Sequence, residues 1–114
     1  MNTQTSTILK KCGIQPHLLG YEYLGEAIEL ISKDRNLIHE TSELYFTIAE
    51  RFDSTYSRVE RSIRHAITVA FNNLSPDIIQ EVFGNTLNPK EVKPTNAHFI
   101  AAVAELIRCD GESR

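Results

Sequence analysis

The 114-residue sequence has no tryptophan, one methionine, two cysteines, five glycines, four prolines and no surplus of positive charge. Each scarcity excludes something. The two cysteines, Cys12 and Cys109, sit near opposite ends, and a lone pair is no disulfide framework; both are expected as reduced thiols. Glycine and proline are too few for a low-complexity or collagen-like chain. No apolar run approaches the roughly 18–20 residues a membrane span needs. Residues Met1–Thr7 carry neither a basic start nor an apolar stretch, so no secretory signal is readable and a cytoplasmic protein is expected. The net charge of −3 argues against a protein that merely coats nucleic acid, since that mode neutralises many phosphates with Lys and Arg. A DNA reader with this balance must concentrate its positive charge on one face.

What is present reads as one all-α domain of about six helices. Apolar and charged fractions of 41% and 24% are those of an ordinary globular chain, and the length suits a single core. The Thr-rich residues 1–7 read as a disordered polar lead, and 8–110 as the folded domain. A short helix over about Ser6–Cys12 stops at Gly13. The next, about Gly20–Lys33, places Leu24, Ile28 and Ile31 on one face with Ala27 beside them. Asp34–Ile38 reads as a short turn or helix start. A helix over Thr41–Phe52 carries Leu44, Ile48 and Phe52 at four-residue spacing, with Tyr45 and Ala49 alongside. Asp53-Ser54-Thr55 is a polar break in which Asp or Ser suits a cap. After the following helix, Ser75-Pro76 is a cap with proline at the first helical position, and that helix closes at Gly84. Asn85–Val92 reads as a loop. Lys93-Pro94-Thr95-Asn96 opens a last helix, to about Arg108, with Phe99, Ile100, Val103 and Ile107 apolar.

Thr41–Phe52 followed by Ser54–Asn72 is a helix-turn-helix candidate. At about 100° per residue, Tyr56, Val59, Ile63, Ala66, Ile67 and Ala70 gather on one side of the second helix. Ser54, Ser57, Arg58, Arg61, Arg64, His65 and Thr68 gather on the other. Between Arg51 and His65 four arginines face two acids, a local +2 in a chain of −3. Arginine can offer paired hydrogen bonds to O6 and N7 of guanine in the major groove, and Arg58 and Arg61 lie in the first two turns, where recognition helices meet base edges. Glu60 suits a cytosine amine and is equally placed to pair with Arg64 four residues on. The same pattern also suits a plain solvated helix.

The segment Ser57-Arg58-Val59-Glu60-Arg61-Ser62-Ile63-Arg64-His65-Ala66-Ile67 resembles the recognition helix of the C-terminal effector domain of stage zero sporulation protein A. Gly20-Tyr21-Glu22-Tyr23-Leu24-Gly25-Glu26-Ala27-Ile28 and Lys93-Pro94-Thr95-Asn96-Ala97-His98-Phe99-Ile100-Ala101 resemble the same family, in the same order, over about residues 8–108. The resemblance implies a six-helix fold with a helix-turn-helix. It also implies double-stranded DNA carrying a box related to TGTCGAA, contact with RNA polymerase and its housekeeping sigma factor, and tandem pairing on neighbouring boxes. By motif match, Arg58 and Arg61 are the base readers, Glu60 a lesser one, and Ser57, Arg64 and His65 the residues that set the helix on the DNA backbone. Lys93 to Asn96 are candidates for a further phosphate contact, because free N–H groups at a helix start suit an anion; plain capping explains Pro94-Thr95-Asn96 equally well.

Two departures bear on function. The full family protein carries an N-terminal receiver domain, for which this chain has no room, so an excised effector domain or a stand-alone relative is expected. After the recognition helix, Asn72-Asn73-Leu74-Ser75-Pro76 lacks the basic residue and glycine expected for polymerase contact, so DNA reading is better supported than activation, with repression or competition for boxes open. The alternative is a receiverless interaction module that modulates a full-length regulator or RNA polymerase. No cofactor, metal or catalysis is expected: His17, His39, His65 and His98 lack ligand spacing, and no phosphate loop or catalytic triad is visible. With no heptad seam, a free monomer that pairs on DNA is expected.

Overall fold

The computed structural model describes residues 1–84 and 93–112, with side chains as far as Arg108. Among the described residues the chain forms six α-helices and no strand: α1 Thr3–Lys11, α2 Leu19–Lys33, α3 Thr41–Arg51, α4 Tyr56–Asn73, α5 Pro76–Phe83 and α6 Asn96–Glu112. A 3₁₀ turn over Arg35–His39 joins α2 to α3, where the sequence reads as a short turn or helix start. The expected loop Asn85–Val92 lies outside the described residues. Among the described residues no helix is long and apolar enough to cross a membrane.

α2 is the hub, packing on α1, α3, α4 and α6. Its sequence explains why: Gly20, Tyr21, Tyr23, Leu24, Gly25, Ala27, Ile28, Leu30 and Ile31 are all buried, far more than one apolar stripe. Leu24 and Ile28 are fully buried, and each such side chain contributes about 1.5–3 kcal/mol. α2 and α4 approach closely because Gly20 has no side chain. An added Cβ there would overlap the Ser62 carbonyl and lie 2.6 Å from Ala66 Cβ. Facing it, α4 buries Val59, Ile63, Ala66, Ile67 and Ala70. This is the apolar set that the spacing predicts, with Tyr56 only half-buried. From α6, Phe99, Ile100 and Val103 complete the core, and Phe71, Phe83 and Phe99 form an aromatic cluster with centroids 5.6–6.3 Å apart.

Three boundaries differ from the sequence reading. The disordered lead over residues 1–7 is corrected: α1 begins at Thr3, because the Asn2 side chain accepts the Thr5 N–H at 2.8 Å and Thr5 is buried. Ser6 and the Tyr21 hydroxyl are hydrogen-bonded at 2.7 Å, which ties the same segment to α2. The second correction concerns α4, which starts at Tyr56 and not Ser54. Thr55 is its cap, accepting the Arg58 N–H at 3.1 Å. Asp53 adopts φ 51, a left-handed geometry Asp tolerates, and Ser54 N–H closes α3 on the Ala49 carbonyl at 2.8 Å. Third, Phe52 is not core. It is 40% exposed and meets Tyr23 edge-on at 5.3 Å. The end signals of α5 hold, with Ser75 accepting the Ile78 N–H, Pro76 at the first position and Gly84 closing it at φ 60.

Candidate nucleic-acid interface

α3, the turn 52–55 and α4 form two packed helices joined by a short polar turn, the arrangement of a helix-turn-helix. Opposite its buried stripe, α4 exposes Ser57, Arg58, Arg61, Arg64 and His65, and keeps Glu60 half-buried. Thr55 capping places Arg58 in the first turn and Arg61 in the second. Among the described residues neither guanidinium has a hydrogen-bond or ion-pair partner, so both are available to a ligand. Arg64 differs: it forms a hydrogen-bonded ion pair with Glu60 one turn back. Of the two roles open to Glu60 in the sequence, pairing within the helix is the one its side chain adopts.

Grooves run along both flanks of α4. On one, a concavity of about 460 Å³ is lined by Arg61, Ser62 and His65 and by His17, Leu18, Leu19 and Gly20 at the start of α2. A smaller one of about 250 Å³ lies at the first turn, between Thr55, Ser57, Arg58, Arg61 and Ser62. On the other flank, about 420 Å³ is bounded by Thr41, Tyr45, Glu60, Arg64 and residues Lys93, Pro94, Thr95, Asn96 and Ala97. Lys93 and Asn96, 29 or more residues from Arg64 in sequence, thus sit beside the recognition face. Thr95 caps α6, accepting the His98 N–H at 3.1 Å, which is the capping role open to this segment. The Asn96 amide nitrogen donates to the Glu60 carbonyl at 3.1 Å.

All eight candidate residues therefore surround one helix face: Ser57, Arg58, Glu60, Arg61, Arg64 and His65 on α4, and Lys93 and Asn96 beside it. His17 and Tyr45, which the sequence did not single out, line the flanking grooves. For His17 the available signal was Gly20, whose missing side chain allows the close approach to α4. Tyr45 is buried, and that burial raises its hydroxyl above the usual tyrosine value, against a smaller lowering from its hydrogen bond with Asn96. It stays protonated at neutral pH.

A basic helix face on a six-helix scaffold is compatible with many partners; the comparison with known families narrows it. The family model described as "Sporulation initiation factor Spo0A C terminal" matches residues 5–107, nearly the whole chain. The chain belongs to this family. As a Spo0A C-terminal domain it is a member of a family of DNA-binding domains of a sporulation transcription factor, the effector part of a response regulator, and not of an enzyme family. The match includes α4 with all its candidate contacts, and Lys93 and Asn96.

Proposed function

We propose that the protein is a sequence-specific regulator that reads a box related to TGTCGAA by inserting α4 into the major groove. The observation that carries this is the pair of unpartnered guanidiniums of Arg58 and Arg61, in the first two turns of a helix whose opposite face is wholly committed to the core. Arg58 and Arg61 take guanine edges. Ser57, Arg64 and His65 meet the phosphates on either side, and Lys93 adds a charge at the start of α6. Glu60, held by Arg64, contributes to base reading only where that ion pair opens. The small net local charge makes base contacts, not bulk electrostatics, the main source of discrimination. The domain acts in the cytoplasm, is a monomer when free, and pairs on adjacent boxes, where tethering to one duplex raises the effective concentration of a weak contact.

Fluorescence anisotropy with a TGTCGAA duplex and a scrambled duplex, across a salt series, tests this. The box is expected to bind about a thousandfold or more tighter near physiological salt, from the lower end of the typical range of specific over nonspecific binding upward. Equal affinity for both duplexes at every salt concentration would overturn it.

A further inference from the structure

Resting on that DNA-reading role, we propose that Asn96 and Tyr45 form a brace that fixes the rotation of α4, making Asn96 a positioning residue for base reading and not a phosphate ligand. Three helices meet at this point. Asn96 is the first residue of α6 and is half-buried, and its side chain donates across 36 residues of sequence to the Glu60 carbonyl. Along the chain that carbonyl falls after Arg58 and before Arg61 and Arg64. In an α-helix it already accepts the N–H four residues on, so Asn96 adds a lateral, directional tie to the middle of the recognition helix.

The neighbour of Asn96 across the groove is rigid. Tyr45 on α3 is 4% exposed, its ring meets Tyr56 edge-on at 5.5 Å, and it lines the same groove as Asn96. Buried Pro94 and the Thr95 cap fix the start of α6, which delivers Asn96 to the same place each time. The apolar stripe of α4 alone sets depth well and rotation about the helix axis less well, because smooth side chains tolerate small rolls. A bidentate arginine contact tolerates little: a functional side chain must be held within about 0.5 Å and 10–20°. Phosphate contacts on flexible side chains are more forgiving. Loss of the brace therefore acts on discrimination before it acts on general affinity. One of the two Asn96 amide N–H donors is already committed to Glu60.

The variants are Asn96→Ala, Tyr45→Phe and the double change, each measured by anisotropy on the box and the scrambled duplex over a salt series. Asn96→Ala is expected to weaken box binding about fivefold, the typical worth of one hydrogen bond. Binding to the scrambled duplex and the salt slope stay unchanged. Tyr45→Phe loses less in the same direction, and the double variant matches Asn96→Ala, since both residues act at one point beside α4. Amide hydrogen exchange without DNA is expected to quicken at Arg64 in both single variants. Equal losses on the two duplexes would assign Asn96 to a phosphate and overturn the brace; so would unchanged box binding. If Asn96→Ala fails to fold, Tyr45→Phe, which removes one hydroxyl, decides by the same ratio. A wild-type protein with no preference for the box overturns the reading beneath the brace, and that result is visible before any variant is made.

Discussion

Gly20→Ala separates the role of close packing from that of helix propensity. Alanine is the better helix former, so replacing a glycine within a helix ordinarily gains about 0.5–1 kcal/mol. At Gly20 the added methyl has nowhere to go. It would overlap the Ser62 carbonyl oxygen and lie 2.6 Å from Ala66 Cβ, whereas carbon atoms settle at about 3.5–4 Å. Both obstacles belong to α4, one to its backbone, so relief requires the two helices to part by about 1 Å. Overpacking of this kind costs about 1–3 kcal/mol, which outweighs the propensity gain. Net of the propensity gain about 0.5–2 kcal/mol is lost, which for a domain near 100 residues lowers the melting temperature by about 2–16 °C. Gly25 supplies the control. The atoms nearest a methyl there all belong to the Met1 side chain, whose Cε it would overlap and whose Sδ lies at 2.9 Å, and a flexible side chain at the chain end can swing aside. Gly25→Ala is expected to be neutral or mildly stabilising. Thermal melts followed by circular dichroism measure both. A Gly20→Ala protein as stable as wild type would refute the close approach of α2 to α4, and with it the placement of His17 beside Arg61. If Gly20→Ala melts early but folds at 20 °C, it is also expected to lose box affinity, because α4 has been displaced.

Ile63→Asp is expected to abolish the cooperative melt, because Ile63 is fully buried in the α4 stripe and a carboxylate without a partner there carries a large desolvation cost; a melt near the wild-type temperature would place that helix face wrongly. Burial pushes the Cys12 thiol up to about 12 from 9.0. Below pH 9 both folded and unfolded thiols are protonated and nothing changes. Between pH 9 and 12 only the unfolded chain ionises, so stability falls as pH rises through that window. Urea titrations against pH are expected to show a shallower fall in Cys12→Ala, with the raised Tyr45 hydroxyl contributing the same sign above pH 10; identical slopes would show that Cys12 ionises freely. Sedimentation velocity is expected to give a monomer without DNA and with one box, and two proteins on a duplex with two adjacent boxes; a dimer at micromolar concentration without DNA would contradict this.

The helices were legible in the sequence where their own side chains decide them. Val59, Ile63, Ala66, Ile67 and Ala70 announce the buried face of α4 by spacing alone, and Ser75-Pro76 announces the start of α5. The start of α1 was hidden because it rests on a single Asn cap and on Thr5, a polar residue whose burial depends on the rest of the fold. The cap of α4 was ambiguous because Asp53, Ser54 and Thr55 all qualify. Tertiary structure decides among them: the Ser54 amide closes α3, and its hydroxyl accepts from Tyr23 at 3.3 Å. Phe52 continues the four-residue spacing of Leu44 and Ile48, yet it falls one residue past the helix and turns outward. For the candidate site, Arg58 and Arg61 could be read directly from the helix face. The bond from Asn96 to Glu60 could not, since no local pattern links residues 36 apart.

Base reading by α4 is tested most directly by removing one guanine atom at a time. Each guanine of the TGTCGAA duplex is replaced in turn by 7-deazaguanine, which lacks the N7 acceptor of the major groove. Affinities are then measured for wild type, Arg58→Ala and Arg61→Ala. Each arginine change is expected to cost about 1–3 kcal/mol on the intact box with an unaltered circular dichroism spectrum. For each arginine, at least one deaza position is expected to weaken wild type about tenfold while leaving the matching alanine variant no weaker than it already is. Wild type that binds every deaza duplex as tightly as the intact box, with alanine variants that bind like wild type, would contradict the assignment of Arg58 and Arg61 to the bases.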